Sequence, residues 1–203
     1  MNAPELLLLL RRYGFNAGSA LTISAPVAQE VVARAAVATT LAASAAGLTS
    51  VLWSKLHSGI YDLFTICNGI LAGLVAITAG CAVVAPWAAL VIGVLGSMVF
   101  HMMESYILVV LKIDDPLAAS AMHGCVGATG AILLAFFAAP EYLAQQLAVT
   151  LEIDVATGVN GEGASEYGRR YRGILYGGDG RLLAAQLVGA CASHRVNSWT
   201  AHA

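Results

Sequence analysis

Charged residues are scarce in this 203-residue chain: Asp, Glu, Lys and Arg together make up 11%, against 59% hydrophobic residues. Soluble domains carry about 25% charged residues, so this composition does not suit a domain with an ordinary water-facing surface. The formal net charge of -2 also provides no basic surface of the kind that nucleic-acid binding needs. These absences predict an integral membrane protein with no nucleic-acid partner.

Cysteine motifs are lacking as well. The chain has four cysteines, and Cys67, Cys81 and Cys125 lie inside apolar runs with no C-x-x-C pair among them. We interpret them as small buried apolar side chains rather than as disulfide partners or metal ligands. No cofactor is expected from them.

What the chain does contain is long apolar runs. A bilayer core of about 30 Å needs roughly 20 apolar residues in a helix. Four segments reach that length, at about 26–53, 63–85, 87–111 and 117–139. Residues 140–181 are rich in acids, arginines and glycines and predict an extramembrane loop, and residues 193–203 form a polar tail. We predict an all-α fold, a polytopic transmembrane helix bundle within residues 1–192.

Glycines recur at helical spacing in these runs. Because small residues let helix backbones approach closely in lipid, they predict a tightly packed bundle. The glycines concerned are Gly69, Gly73, Gly93, Gly96, Gly124, Gly127 and Gly130. The last three are not interpreted as a nucleotide-binding loop, because no strand precedes them.

His123 lies inside the fourth apolar run, after Asp114, Asp115 and Pro116. We interpret these three as the start of a helix, with Asp115 as its cap and Pro116 in its first turn, and substrate or cation binding as the alternative. An ionisable residue at membrane depth is costly, so it is by default a functional candidate. His123 is either a buried histidine bonded to a backbone carbonyl or an imidazole that lines a pore.

His101 and Glu104 stand three residues apart and resemble half of a carboxylate-bridged metal site. The chain offers no second H-x-x-E pair and no H-E-x-x-H motif. A polar pair near the end of a helix is therefore the favoured interpretation, and no metal site is predicted.

Several segments together resemble the ammonium transporter family (the Amt/Mep/Rh superfamily), nearest its plant-type branch. They occur in the family's order and cover residues 13 to about 190. These segments are YGFNAGS at 13–19, CNGILAGLVAITAGCAVVAPWA at 67–88, DDP at 114–116 with HG at 123–124, and YGGDGRLLAAQ at 176–186.

The resemblance implies a partial ammonium-transporter fold, from the end of helix six to the start of helix eleven. In this family eleven helices surround a narrow hydrophobic pore, three pores form a homotrimer, and ammonium or ammonia passes two adjacent histidines. His123 would be the second of these histidines, Phe15 a gating phenylalanine and Ser19 a hydroxyl of the outer recruitment site. Asn16, in the same motif, would have a structural role.

The distribution of charged residues and the family resemblance predict opposite orientations of the chain in the membrane. The arginines of residues 169–181 favour a cytoplasmic loop by the positive-inside rule. The family topology instead implies that Lys55 and Lys112 face the cytoplasm and that the 141–181 loop lies outside. We prefer the second orientation, because it rests on long, ordered motifs.

The chain also departs from the family. The family's first five helices have no counterpart here, Arg11 and Arg12 stand where the family usually has Gly-Trp or similar, and the final helix stops at Ala192. We therefore expect a fragment devoted to ammonium transmembrane transport, inactive alone, in the plasma membrane.

Two other classes of function remain open. The first, which is the alternative to a transport fragment, is an interaction subunit that assembles with full-length transporter subunits. An intramembrane enzyme that uses His123 with Glu104, or with Asp114 and Asp115, ranks last because no nucleophile motif accompanies these residues. We predict that the chain is not an enzyme.

Overall fold

The computed structural model describes residues 11, 14–19, 23, 26–150 and 161–189. Regular structure in these segments is helical, and one isolated bridge joins Val84 to Ala138. The prediction of an all-α bundle is confirmed. The helices are α1 (Pro26–Ser58), α2 (Leu63–Ile77), α3 (Pro86–Val109), a π-helical turn (Ser120–Cys125) continuing into α4 (Val126–Phe137), α5 (Pro140–Thr150) and α6 (Gly161–Arg170). A 3-10 turn (Ile174–Tyr176) and a helical segment at 181–189 follow.

Three helices of the described segments are long and apolar enough to cross a membrane: Pro26–Ser58, Pro86–Val109 and Ser120–Phe137. The predicted run at 63–85 behaves differently, because α2 has 15 residues and a length of about 22 Å. The predicted segment at 26–53 continues to Ser58, and the predicted loop at 140–181 contains α5 and α6. The chain is an integral, multi-pass membrane protein.

Helix α2 ends at Ile77 because the backbone tightens there. The N–H of Thr78 donates to Val75 O at 3.2 Å, and the N–H of Gly80 donates to Ile77 O at 3.0 Å. Both bonds span three residues and so belong to turns rather than to an α-helix. Hydropathy does not reveal this end, because the residues that form the turns are themselves apolar.

Two polar caps mark the junction between α1 and α2. Gly59 adopts a φ of 73° after α1, and Lys55 donates from Nζ to its carbonyl at 2.9 Å. Asp62 caps α2 by accepting from the N–H of Thr65 at 2.9 Å and from its hydroxyl at 2.6 Å. The hydroxyl and N–H bonds from Thr65 lower the pKa of Asp62.

The core is built from alanine and glycine. A Cβ at Gly73 would lie 2.8 Å from Ala42 O, and one at Gly93 would overlap the same oxygen. Helices α1, α2 and α3 therefore meet backbone to backbone around Ala42. Helix α4 joins them through Gly130, where a Cβ would overlap Ala76 O.

Arg34 of α1 connects α5 to this core through its guanidinium group. Arg34 of α1 donates from Nη1 to Ala82 O at 3.1 Å and from Nη2 to Gln145 Oε1. Its guanidinium carbon lies 3.6 Å from the centroid of the Tyr142 ring. One side chain thus joins α1, the 78–84 turn and α5.

Three of the four cysteines belong to the residues that the structure describes, and they lie where the apolar runs predict them. Cys67 and Cys81 are buried, and Cys125 is half-buried. Their burial agrees with the interpretation of these residues as small apolar side chains.

Candidate functional site

His123 lies in the π-helical turn Ser120–Cys125, and its side chain is exposed. The N–H of Val126 donates to Ala121 O, the five-residue bond that defines a π-turn. Such turns are rare and occur frequently at functional sites. Nothing in the sequence signals this turn, because its six residues fit an α-helix equally well.

Asp115 caps this turn from the preceding segment. Its carboxylate accepts from the N–H of Ser120 at 2.7 Å and from that of Ala119 at 3.0 Å. These bonds, with that of Ser120 first, lower the pKa of Asp115. The structure differs from the predicted helix start in one respect: Pro116 lies in a turn that precedes the helix. The turn is closed by the N–H of Ala118 donating to Asp115 O, and Ala118 has a φ of 49°.

The helix surface beside His123 is open. A Cβ added at Gly124 or Gly127 would meet no heavy atom within 4 Å among the residues that the structure describes. Gly130, further along α4, packs instead on the backbone of Ala76. The glycines that follow His123 therefore serve two different surfaces, one open beside the imidazole and one inside the packed core.

Phe15 and Ser19 lie on one short helical stretch, residues 14–18 and the turn that follows. Phe15 is 57% exposed, and the hydroxyl of Ser19 donates to Phe15 O at 2.6 Å. Asn16, between them in sequence, is buried and donates from Nδ2 to Thr39 Oγ1 at 3.1 Å. Phe15 and Ser19 are thus placed together, and no hydrogen bond within the described segments joins either of them to His123.

Sequence reasoning missed a polar cluster between α1 and α3. His101 is 2% exposed, and its Nε2 lies 3.0 Å from Ser50 Oγ, which is 2.7 Å from Ser97 Oγ. Its ring stacks on Trp53, with centroids 5.4 Å apart. The spacing of His101 and Ser97, one helical turn apart on α3, was the available signal. The cluster ties two helices together in the core.

Glu104 faces a different place from His101. It lines a cavity of about 290 Å³ together with Asp114 and Asp115. No group of three or more His, Cys, Asp or Glu side chains is arranged to hold a metal ion in the part of the chain that the structure describes. His101 and Glu104 therefore do not form one site.

Comparisons with known proteins agree with this architecture. Residues 5–202 match the sequence profile of the Ammonium Transporter Family. The chain is 40% identical over 192 residues to Ammonium transporter 1 member 2 of Oryza sativa subsp. japonica, covering 91% of this chain and 35% of that protein. It is 40% identical over 193 residues to Ammonium transporter 1 member 2 of Arabidopsis thaliana, covering 90% and 33%.

The fold is also similar to that of solved ammonium-transporter structures. The crystal structure of Saccharomyces cerevisiae Mep2 superimposes with a TM-score of 0.74 at 28% identity, covering 93% of this chain and 37% of that one. The chain thus spans about a third of the length of the curated relatives it matches. Family membership confirms the predicted resemblance and the prediction that the chain is not an enzyme. This chain belongs to the ammonium transporter family.

Proposed function

We propose that this chain forms part of the wall of an ammonium pathway across the membrane. His123 lines the pathway, Phe15 narrows its outer part, and Ser19 contributes a hydroxyl to outer recruitment. The observation that carries the proposal is the exposed imidazole of His123 on a membrane-length helix. An imidazole that faced acyl chains would carry a free-energy cost, and this cost is avoided if the His123 face of the helix borders a pathway.

The surroundings of His123 support this role. Gly124 and Gly127 leave the backbone beside the imidazole uncovered within the described segments. An imidazole in its neutral form both donates and accepts a hydrogen bond, so it can exchange bonds with a small solute such as ammonia. The open face thus suits a narrow path with one polar group.

The rest of the wall comes, in this proposal, from segments that correspond to the other two thirds of the relatives. The complete protein is a homotrimer in the plasma membrane, and the present chain alone does not conduct. The solute in this proposal is ammonium or ammonia, and the names of the relatives give ammonium for those proteins.

A chimaera tests the proposal. The chain replaces the matching segment of the rice relative, and methylammonium uptake is measured in yeast that lacks its own ammonium transporters. We expect uptake by the chimaera and a changed rate or selectivity in His123→Ala at equal expression. The matched control is His57→Ala, an exposed histidine at the end of α1. Unchanged uptake and selectivity in His123→Ala would refute the role of His123.

A second candidate function is an interaction subunit that docks on full-length transporter subunits. The open glycine face beside His123 favours it, because small residues suit close helix contacts in lipid. Co-expression with the intact rice relative tests it. Co-purification together with altered uptake supports docking, and independent purification with normal uptake rejects it.

A further inference from the structure

A groove on α6 is lined by charged and aromatic residues that have no part in the proposed pathway. It has a volume of about 310 Å³, and its lining residues are Gly163, Glu166, Tyr167, Arg170 and Tyr171. A Cβ at Gly163 would meet no heavy atom within 4 Å among the described residues, so the glycine leaves this side of the helix open. The groove combines one carboxylate, one guanidinium and two phenol rings.

The two charges in the groove are not paired with each other. Glu166 and Arg170 stand four residues apart on α6, a spacing that brings oppositely charged side chains within reach. The ion pair that the described segments contain joins Arg181 to Asp179 instead. Glu166 and Arg170 therefore leave a negative and a positive charge available to a ligand, about one helical turn apart.

Two tyrosine rings border these charges. The ring centroids of Tyr167 and Tyr171 lie 4.6 Å apart, and Tyr167 is 39% exposed. The faces of aromatic rings attract cations, and quaternary ammonium groups such as choline are recognised in this way. A guanidinium group donates paired hydrogen bonds to phosphate. The rings and Glu166 thus suit the cationic part of a ligand, and Arg170 suits a phosphate.

The position of α6 relative to the membrane identifies the kind of ligand. The membrane-length segment that contains α4 ends at Phe137, and the N–H of Gly173 donates to Ala138 O at 2.8 Å. A Cβ at Gly168 would overlap Pro140 O, so α6 lies directly on the chain that leaves α4. The groove is therefore near the level at which the span ends, which is the level of lipid headgroups.

Exposed aromatic and apolar side chains occur at the same level. Trp87, in the first turn of α3, is 51% exposed and packs edge-on against Phe137, with ring centroids 5.6 Å apart. Leu175, in the 3-10 turn after α6, is 59% exposed. Trp and Tyr are enriched where membranes meet water, because their rings are apolar and their N–H and O–H groups are polar. This end of the bundle thus suits contact with lipid.

We propose that the groove on α6 binds the headgroup of a zwitterionic phospholipid, phosphatidylcholine. Its phosphate lies against Arg170, and its choline group lies against the two tyrosine rings and the carboxylate of Glu166. Phosphatidylglycerol can supply the first of these contacts but not the second. A lipid with a trimethylammonium group and no phosphate can supply the second but not the first. The groove therefore selects for both charges together, which attraction to net charge alone would not do.

Native mass spectrometry of the chain purified in detergent tests the proposal. Three lipids are titrated separately: phosphatidylcholine, phosphatidylglycerol and dioleoyl trimethylammonium-propane. We expect phosphatidylcholine to bind about tenfold more tightly than either of the others, the scale for one lost hydrogen bond to a charged group. Binding of phosphatidylcholine that is equal to or weaker than that of either lipid would overturn the proposal.

Variants on the two sides of α6 locate the site. Arg170→Gln should weaken phosphatidylcholine binding about tenfold and leave the trimethylammonium lipid unaffected, which also shows that the variant is folded. Tyr167→Leu should weaken phosphatidylcholine and the trimethylammonium lipid about three- to tenfold and leave phosphatidylglycerol unaffected.

The matched control is Arg169→Gln. It removes a neighbouring exposed guanidinium that does not line the groove, and it should bind phosphatidylcholine as the unaltered chain does. Unchanged phosphatidylcholine binding in Arg170→Gln, or an equal loss in Arg169→Gln, would refute the site.

Discussion

The Nε2 of His101 lies 3.0 Å from the Oγ of Ser50, and this hydrogen bond joins α3 to α1 inside the bundle. Ser50 donates its proton to Ala46 O at 3.0 Å. Its oxygen is then left to accept from both His101 and Ser97. In this arrangement both serine hydroxyls and the Nε2 of His101 have hydrogen-bond partners if Nε2 carries the proton.

Removing the shared oxygen should destabilise the chain. Ser50→Ala leaves the buried Nε2–H of His101 without an acceptor, at a cost of about 1–3 kcal/mol. Thermal unfolding in detergent measures the change. Ser44→Ala is the control, because Ser44 is exposed on the same helix and bonds to Thr40 O. Equal Tm values for the two variants would contradict the role of the cluster.

The two glycine surfaces of α4 predict opposite responses to alanine. Gly130→Ala places a methyl group against Ala76 O and should cost about 1–3 kcal/mol through overpacking. Gly127→Ala enters open space and should be neutral or stabilising by up to about 1 kcal/mol, because alanine is the better helix former. Chemical unfolding of both variants measures the difference. The packing assignment fails if Gly127→Ala is the more damaging change.

The contacts of Arg34 should stabilise the packing of α5 on α1. Arg34→Gln removes the contact with the Tyr142 ring and the two hydrogen bonds, and should cost about 2 kcal/mol. Faster chymotrypsin cleavage at Tyr142 and a lower Tm are the measurements. Arg169→Gln, an exposed position on α6, is the control and should change neither.

Acid should weaken the cap on the π-turn. The pKa of Asp115 is lower in the folded chain than its ordinary value, so its stabilising effect is fully present above the ordinary pKa. The effect decreases as the pH falls through the lower, folded value. Asp115→Asn should therefore lose Tm at neutral pH and show a shallower decline in acid. Asp114→Asn, which neutralises the neighbouring carboxylate, is the control; identical acid profiles for the two variants would contradict the cap.

The sequence predicted the family, the all-α fold and the position of His123 on an apolar helix, because long motifs and apolar runs can be recognised in a single chain. It did not predict the end of α2, since the 78–84 turn is as apolar as the helix before it. Nor could it place Asn16 and Gln146 beside the same cavity, because they are far apart in the chain and only the fold brings both of them to it. Features set by neighbouring residues, such as an apolar helix or a helix cap, could be predicted from the sequence. Contacts between segments far apart in the chain could be seen only in the folded structure.

The π-turn has a consequence for how this helix tolerates change. Each residue of an α-helix turns the chain by about 100°. A π-turn holds one residue more than the α-helical turn it replaces, so deleting one residue between Ser120 and Cys125 would change the angle of His123 around the helix axis, while Gly130 kept its place against Ala76. The length of this segment, as much as the identity of its histidine, sets the direction in which the imidazole points.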